Sequence, residues 1–119
     1  MLRLCVAVLG ALLIVAPVRA QNQVKSATLD AVKKRGELIC GIDTGIPGYA
    51  YQDSKGEWQG LDIGYCRALA DAVLGSPTKV KFIGTTSKVR FSVLQSGEID
   101  VLIRDSEHTF IRNTQLGLD

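Results

Sequence analysis

The sequence has few of the residue types that build metal sites and nucleophilic active sites. It contains one histidine, His108, and three cysteines, and none of these lies close in sequence to another. Zinc sites take about four such ligands, and a cysteine nucleophile needs a histidine partner. We therefore expect no metal, no cofactor and no enzyme of this type. The aspartates near predicted element boundaries, Asp43, Asp62 and Asp100, are expected to serve in caps and turns.

An excess of positive charge is also missing. The sequence has 14 basic and 12 acidic residues, which gives a formal net charge of +2. Two of the basic residues, Arg3 and Arg19, lie in the first 20 positions, and without them 12 basic residues face 12 acidic ones. Nucleic-acid surfaces need clustered positive charge, so no nucleic-acid partner is expected.

Residues 1–20 have the features of a secretory signal peptide. Arg3 precedes an almost unbroken apolar run over residues 4–16, Pro17 ends the run, and Ala20 offers a small residue for cleavage. The competing interpretation is a transmembrane anchor, but the run is shorter than the roughly 20 residues that a bilayer core requires. We expect cleavage after Ala20, and no stable membrane anchor after it.

The pattern of apolar and polar residues after a polar tail over residues 21–27 predicts alternating helices and strands. Thr28 and Asp62 are suitable N-caps, and Gly36 and Gly97 are suitable helix ends. In chain order the predicted elements are a helix over residues 28–35, a strand over 37–42, a hairpin turn over 53–58, a helix over 63–74, a strand over 79–83, a helix over 88–96 and a strand over 99–103. Helices between strands predict an α/β fold with a short, mostly parallel sheet flanked by helices.

Two cysteines remain once a signal peptide is removed. Cys40 lies in the first predicted strand, and Cys66 lies on the inward face of the helix that follows the hairpin. An even pair in an oxidising compartment favours a disulfide, which would close a loop of about 27 residues and contribute on the order of 3 kcal/mol. The alternative is a pair of buried free thiols.

Polar residues follow the last predicted strand. Residues 104–109 form a polar loop, and Arg112 comes shortly after it. The carboxyl ends of parallel strands are where ligands bind in open α/β sheets, and residues 44–49 lie at the same edge. A guanidinium beside hydroxyls and backbone amides suits a small carboxylate-bearing molecule. The alternative for Arg112 is a solvated surface arginine.

Five fragments in this order resemble one protein family. They are ELICGIDTGIPGY, GEWQGLDIGYCRALADAV, KVKFI, RFSVLQSGEIDVL and the terminal loop with Arg112. The chain is similar in them to periplasmic solute-binding proteins of family 3, which serve polar and general L-amino acid ABC transporters. The resemblance implies a type II periplasmic binding fold. Because the family's chains are longer, residues 28–119 would be an incomplete N-terminal lobe.

The resemblance also implies a function and a location. The chain would belong to a periplasmic protein that captures L-amino acids and delivers them to a membrane permease, and alone it would bind weakly or not at all. One alternative is a cyclohexadienyl dehydratase-like enzyme on the same scaffold, with Glu107 as the acid or base. Another is a sensor module, or a degraded reading frame without a function.

In the family, an arginine at the position of Arg112 clamps the ligand's α-carboxylate. The other ligand-binding residues that the resemblance implies are Thr109, Glu107, Asp105, Ser87, Ile46 and Tyr49. Glu107 and Asp105 depart from the family, which often has small or hydroxyl residues there, and a carboxylate would repel the ligand's carboxylate. Either these acids turn outward, or the ligand is more cationic than average, or binding has been lost.

Overall fold

The computed structural model describes residues 26–107, 109, 111, 114 and 115. The predicted signal peptide, His108 and Arg112 lie outside the described residues. The elements are α1 (Ala27–Arg35), β1 (Leu38–Ile42), β2 (Tyr51–Gln52), β3 (Trp58–Gln59), α2 (Leu61–Leu74), β4 (Val80–Gly84), α3 (Arg90–Gln95) and β5 (Val101–Leu102). Their order confirms the predicted α/β fold with a parallel sheet and flanking helices.

The central sheet has three parallel strands in the order β4–β1–β5. On one side of β1, Leu38 pairs with Val80 of β4, and on the other side, Cys40 pairs with Val101 of β5. β2 and β3 form a separate antiparallel pair. Gly56, at the turn between them, has a φ of 78°, a left-handed conformation that suits glycine in a hairpin, as the sequence predicts.

The core lies where β1 faces α1 and α2. Alternate residues of a strand point to the same face, and the alternate residues of β1 that are fully or almost fully buried are Leu38, Cys40 and Ile42. Ile63 and Cys66 of α2 are also fully buried and form a cluster with Cys40 and Ile42. The structure joins Cys40 and Cys66 in a disulfide, as predicted, with their Cα atoms 6.1 Å apart.

Both helices for which an N-cap was predicted begin earlier than expected. Ser26, not Thr28, caps α1, because its Oγ accepts a hydrogen bond from the Leu29 N–H at 3.3 Å. Gly60, not Asp62, precedes α2, and Asp62 lies in the first turn. The predicted N-caps Thr28 and Asp62 are therefore wrong.

The start of α2 is determined by a loop rather than by a side-chain cap. The N–H groups of Leu61 and Asp62 donate to the carbonyls of Gly48 and Tyr49 at 2.9 and 3.0 Å. The first N–H groups of a helix have no partner within the helix, and here the backbone of the preceding loop accepts from two of them.

The last two elements are shorter than predicted. α3 covers Arg90–Gln95 instead of residues 88–96, and β5 covers only Val101–Leu102 instead of residues 99–103. Thr85 precedes this helix and donates from Oγ1 to the Ile42 carbonyl at 3.1 Å. The N-cap position of α3 is Val89, which provides no side-chain cap. In the part of the chain that the structure describes, no helix is long and apolar enough to cross a membrane.

Candidate functional site

The carboxyl ends of β1, β4 and β5 lie at one edge of the sheet because the three strands are parallel and adjacent. The residues that follow them are 43–49, 85–87 and 104–107. We call these three segments together the strand-end mouth. Ligands of open α/β sheets bind at such edges, so the chemistry of these segments decides what the site can do.

Arg104 connects all three segments. Its Nη1 donates to the Thr85 carbonyl at 2.7 Å and lies 3.3 Å from Thr85 Oγ1, and its Nη2 forms an ion pair with Asp43. The Arg104 side chain is only 4% exposed. A buried guanidinium needs partners that compensate its lost hydration, and its two terminal nitrogens find them after two neighbouring strands, while its buried Nε has no hydrogen-bond partner within the described residues.

Thr85 and Gly84 bring the segment after β4 against the segment after β1. The Thr85 N–H donates to the Ile42 carbonyl at 2.8 Å, and Thr85 is 2% exposed. A Cβ on Gly84 would lie 2.3 Å from Cγ2 of Thr44, so the small residue permits this close approach. The Thr44 N–H in turn donates to Oδ1 of Asp43 at 2.6 Å. The floor of the strand-end mouth is therefore tightly hydrogen bonded.

Asp62 is a buried carboxyl group next to this network. The residue is 5% exposed, and its Oδ2 has no hydrogen-bond partner within the described part of the chain. Burial raises the pKa of Asp62, the negative charges of Asp105 and Asp43 raise it further, and the guanidinium of Arg104 lowers it. Asp62 therefore holds its proton more readily than an ordinary aspartate does.

The predicted ligand-binding residues differ in how exposed they are and in whether they are seen to contact Arg104. Oδ1 of Asp105 lies 3.5 Å from Nη2 of Arg104, and the Asp105 side chain is 47% exposed. Glu107 and Ser87 are exposed, and Ser87 lies in the turn before α3. Tyr49 is 45% exposed. Asp105 thus joins the Arg104 network.

The remaining predicted residues are less informative. Ile46 is half-buried and pairs with Ala50 in an isolated bridge, and Thr109 is half-buried. The predicted carboxylate clamp, Arg112, lies outside the described residues. Within the residues that the structure describes, no group of three or more His, Cys, Asp or Glu side chains could hold a metal ion.

Sequence reasoning missed the role of Arg104 and the environment of Asp62. Arg104 counted only as the polar residue that ends the last strand, and Asp43 and Asp62 counted as a turn residue and a cap. One signal could have identified the pair: a basic residue directly after one buried parallel strand and an acidic residue directly after its neighbour. Such residues meet at the same sheet edge and can compensate each other's burial.

Comparisons with known proteins agree on one family. The model of the bacterial extracellular solute-binding proteins, family 3, matches residues 38–118. The chain is 52% identical over 94 residues to the glutamate/glutamine/aspartate/asparagine-binding protein BztA of Rhodobacter capsulatus, covering 79% of this chain and 28% of that protein. It is 49% identical over 94 residues to the general L-amino acid-binding periplasmic protein AapJ of Rhizobium johnstonii, with the same two coverages, 79% and 28%.

A solved structure agrees with these relatives. An ABC transporter periplasmic binding protein from Brucella ovis with glutathione bound superposes with a TM-score of 0.76 and 54% identity, covering 80% of this chain and 30% of that chain. The chain therefore spans less than a third of the length of these three relatives.

Proposed function

Because this chain belongs to the bacterial extracellular solute-binding proteins, family 3, we propose that it contributes the strand-end mouth to a protein that captures L-amino acids for an ABC transporter. Residues 28–119 would form an incomplete N-terminal lobe of its binding domain. The observation that carries the proposal is the convergence of three polar segments at the carboxyl ends of β1, β4 and β5. Two relatives whose names state amino acid binding support it.

The α-carboxylate of the ligand would bind to Arg112. An arginine can donate two parallel hydrogen bonds to a carboxylate, which a lysine cannot do. Thr109 and Ser87 would add hydroxyl groups, and Ile46 and Tyr49 would contact the ligand's side chain. The exposed Tyr49 provides an aromatic surface that a ligand could cover.

The acidic residues favour ligands that do not add another carboxylate beside them. Asp43, Asp62 and Asp105 all lie near the guanidinium of Arg104. Of the possibilities that the sequence leaves open, this arrangement supports a ligand that is more cationic than average. Glu107 is exposed and can turn toward solvent.

The family also supports a proposal for the protein's partner and its cellular location. Residues 1–20 would direct export and be removed, and the protein would act in the periplasm. Its partner there would be the membrane permease of the transporter. Relatives with periplasmic and ABC transporter names support both proposals.

The test is a titration of the secreted, isotope-labelled chain with a panel of L-amino acids, followed by amide NMR, which detects weak binding. We expect at least one amino acid to shift the amides of residues 43–49 and 85–87. Arg112→Ala should weaken that binding by about tenfold to a hundredfold, because hydrogen bonds to charged groups contribute roughly 1.5–3 kcal/mol. Lys33→Ala, an exposed cation on α1, is the control and should bind as the parent does.

Two results would contradict the proposal. An unchanged affinity in Arg112→Ala would show that Arg112 is not the clamp, and no response to any amino acid, even when the chain is joined to the remaining part of a family binding domain, would reject the proposed capture. The enzyme alternative has less support, because its candidate acid, Glu107, is exposed to water. Turnover of prephenate or arogenate that is lost in Glu107→Gln would replace the binding proposal with the enzyme.

A further inference from the structure

We propose that Arg104 is a positioning residue of the strand-end mouth: its buried guanidinium holds the segments after β1, β4 and β5 in one arrangement and so determines how the mouth meets a ligand. The proposal deepens the proposed function and rests on it for the effect on ligand binding. The positioning itself is a property of the ligand-free chain and can be tested separately.

The first argument is geometric. Arg104 lies 61 residues after Asp43 and 19 residues after Thr85, and its two terminal nitrogens reach both. Nη1 donates to the Thr85 carbonyl at 2.7 Å, while Nη2 pairs with Asp43. The guanidinium is planar, and its N–H donors point in fixed directions. Both bonds therefore form only when the segment after β1 and the segment after β4 lie a fixed distance apart.

The second argument concerns charge. Asp43 is 9% exposed and Asp62 is 5% exposed, so two carboxyl groups are buried near each other at the mouth. Asp105 and Asp43 are the two acidic groups that raise the pKa of Asp62, and Arg104, which pairs with both of them, lowers it. Removing Arg104 would leave the buried Asp43 without its ion-pair partner, which is costly in a low-dielectric site.

A similar arginine at the other end of the strands provides a matched control. Arg35 forms an ion pair with Asp100 and donates from Nε to the Glu37 carbonyl at 3.0 Å. Asp100 also accepts from the Ile39 N–H at 2.7 Å. This pair has the same chemistry as the Arg104 pair but lies at the amino ends of β1 and β5, away from the mouth.

The experiment compares the ligand-free parent with Arg104→Gln, Arg104→Lys and Arg35→Gln by NMR. The first readout is amide hydrogen exchange at Thr44 and Thr85. We expect exchange at least tenfold faster in both Arg104 variants, because neither side chain can form the fork, and unchanged exchange in Arg35→Gln. Unchanged exchange in Arg104→Lys would show that only the charge matters and would overturn positioning.

The second readout is the ¹³C titration of the Asp62 carboxyl group. The pKa of Asp62 should rise in Arg104→Gln, because the guanidinium lowers it in the parent. It should rise much less in Arg104→Lys, which keeps the positive charge, and not at all in Arg35→Gln. No change in Arg104→Gln would place the guanidinium away from Asp62 and contradict the proposed arrangement.

If Arg104→Gln fails to fold, a double variant, Arg104→Gln with Asp43→Asn, takes its place in the experiment. It removes both charges and keeps two groups that can hydrogen bond. If this variant also fails to fold, Arg104 acts on the whole fold and the proposal is wrong. The ligand arm uses the amino acid that the parent binds: Arg104→Lys should weaken its binding at least tenfold, and Arg35→Gln should not. A parent that binds no amino acid even when it is joined to the remaining part of a family binding domain rejects the proposed function, while the exchange and titration results still decide the positioning.

Discussion

Gly60, directly before α2, occupies a position where the backbone tolerates no side chain. Its φ is 118°, in a region that residues with a Cβ rarely adopt. A Cβ at this position would also lie 2.2 Å from the carbonyl oxygen of Tyr49. That carbonyl accepts the hydrogen bond from the Asp62 N–H at the start of α2. One glycine thus permits the contact between the 44–49 loop and the helix that carries Asp62.

We predict that Gly60→Ala lowers the free energy of unfolding by roughly 2–3 kcal/mol, because it combines backbone strain with a contact against a carbonyl. Urea unfolding followed by circular dichroism measures the loss. Gly64→Ala is the matched control, since Gly64 lies within α2 and a Cβ there meets nothing within 4 Å. It should stabilise the protein by about 0.5–1 kcal/mol, as alanine replaces glycine in a helix. Equal effects of the two variants would refute the argument.

The elements owe their arrangement to a few cross-links between sequence-distant parts. α2 is joined to β1 by the disulfide between Cys66 and Cys40, and both residues are fully buried. The same two elements carry the neighbouring buried side chains Ile42 and Ile63. The bridge therefore lies inside the apolar contact that holds the helix on the sheet, and it constrains the unfolded chain between the two elements.

We predict that losing the bridge costs on the order of 3 kcal/mol of stability, through the greater freedom of the unfolded chain. Urea unfolding of the parent with and without a reductant measures this cost. The Cys40→Ala, Cys66→Ala double variant should already have the lower stability and should not respond to the reductant. Thiol counting on the denatured, secreted protein should find neither cysteine free, and two reactive thiols would refute the bridge.

At the scale of the whole molecule, two aspartates give stability opposite dependences on pH. Burial raises the pKa of Asp62 above its ordinary value of 3.8. Hydrogen bonds from the backbone N–H groups of Glu57 and Lys55 lower the pKa of Asp53 below 3.8. The contribution of Asp62 is therefore present below pH 3.8 and is lost as the pH rises through its raised pKa. The contribution of Asp53 is present above pH 3.8 and is lost as the pH falls through its lowered pKa.

We predict that Asp62→Asn gains stability relative to the parent as the pH rises, because the parent must then bury an ionised carboxylate. Asp53→Asn is the control of opposite sign: its deficit relative to the parent should shrink as the pH falls. Urea unfolding midpoints from about pH 3 to about pH 8 give both curves. A relative loss of stability in Asp62→Asn at higher pH would mean that the folded protein favours the ionised form of Asp62.

Much of the fold could be predicted from local patterns. The order of the elements, the parallel strands, the buried face of β1 and the glycine turns at Gly36, Gly56 and Gly97 all follow from periodicity and turn chemistry. The start of α2 could not be predicted, because its first N–H groups donate to the carbonyls of Gly48 and Tyr49 rather than to a capping side chain. Of the candidate site, the sequence indicated the correct sheet edge but not the contacts within it.

The sequence by itself therefore determined which segments form helices and strands, which two cysteines are available to pair and which family the fragments resemble, because these features are written in neighbouring residues. Only the tertiary structure decided that Arg104 meets Asp43 and Thr85 and that Asp62 is buried beside them. The physical reason is that these contacts join residues 61 and 19 positions apart. They exist only once parallel pairing has brought the ends of three strands to the same edge.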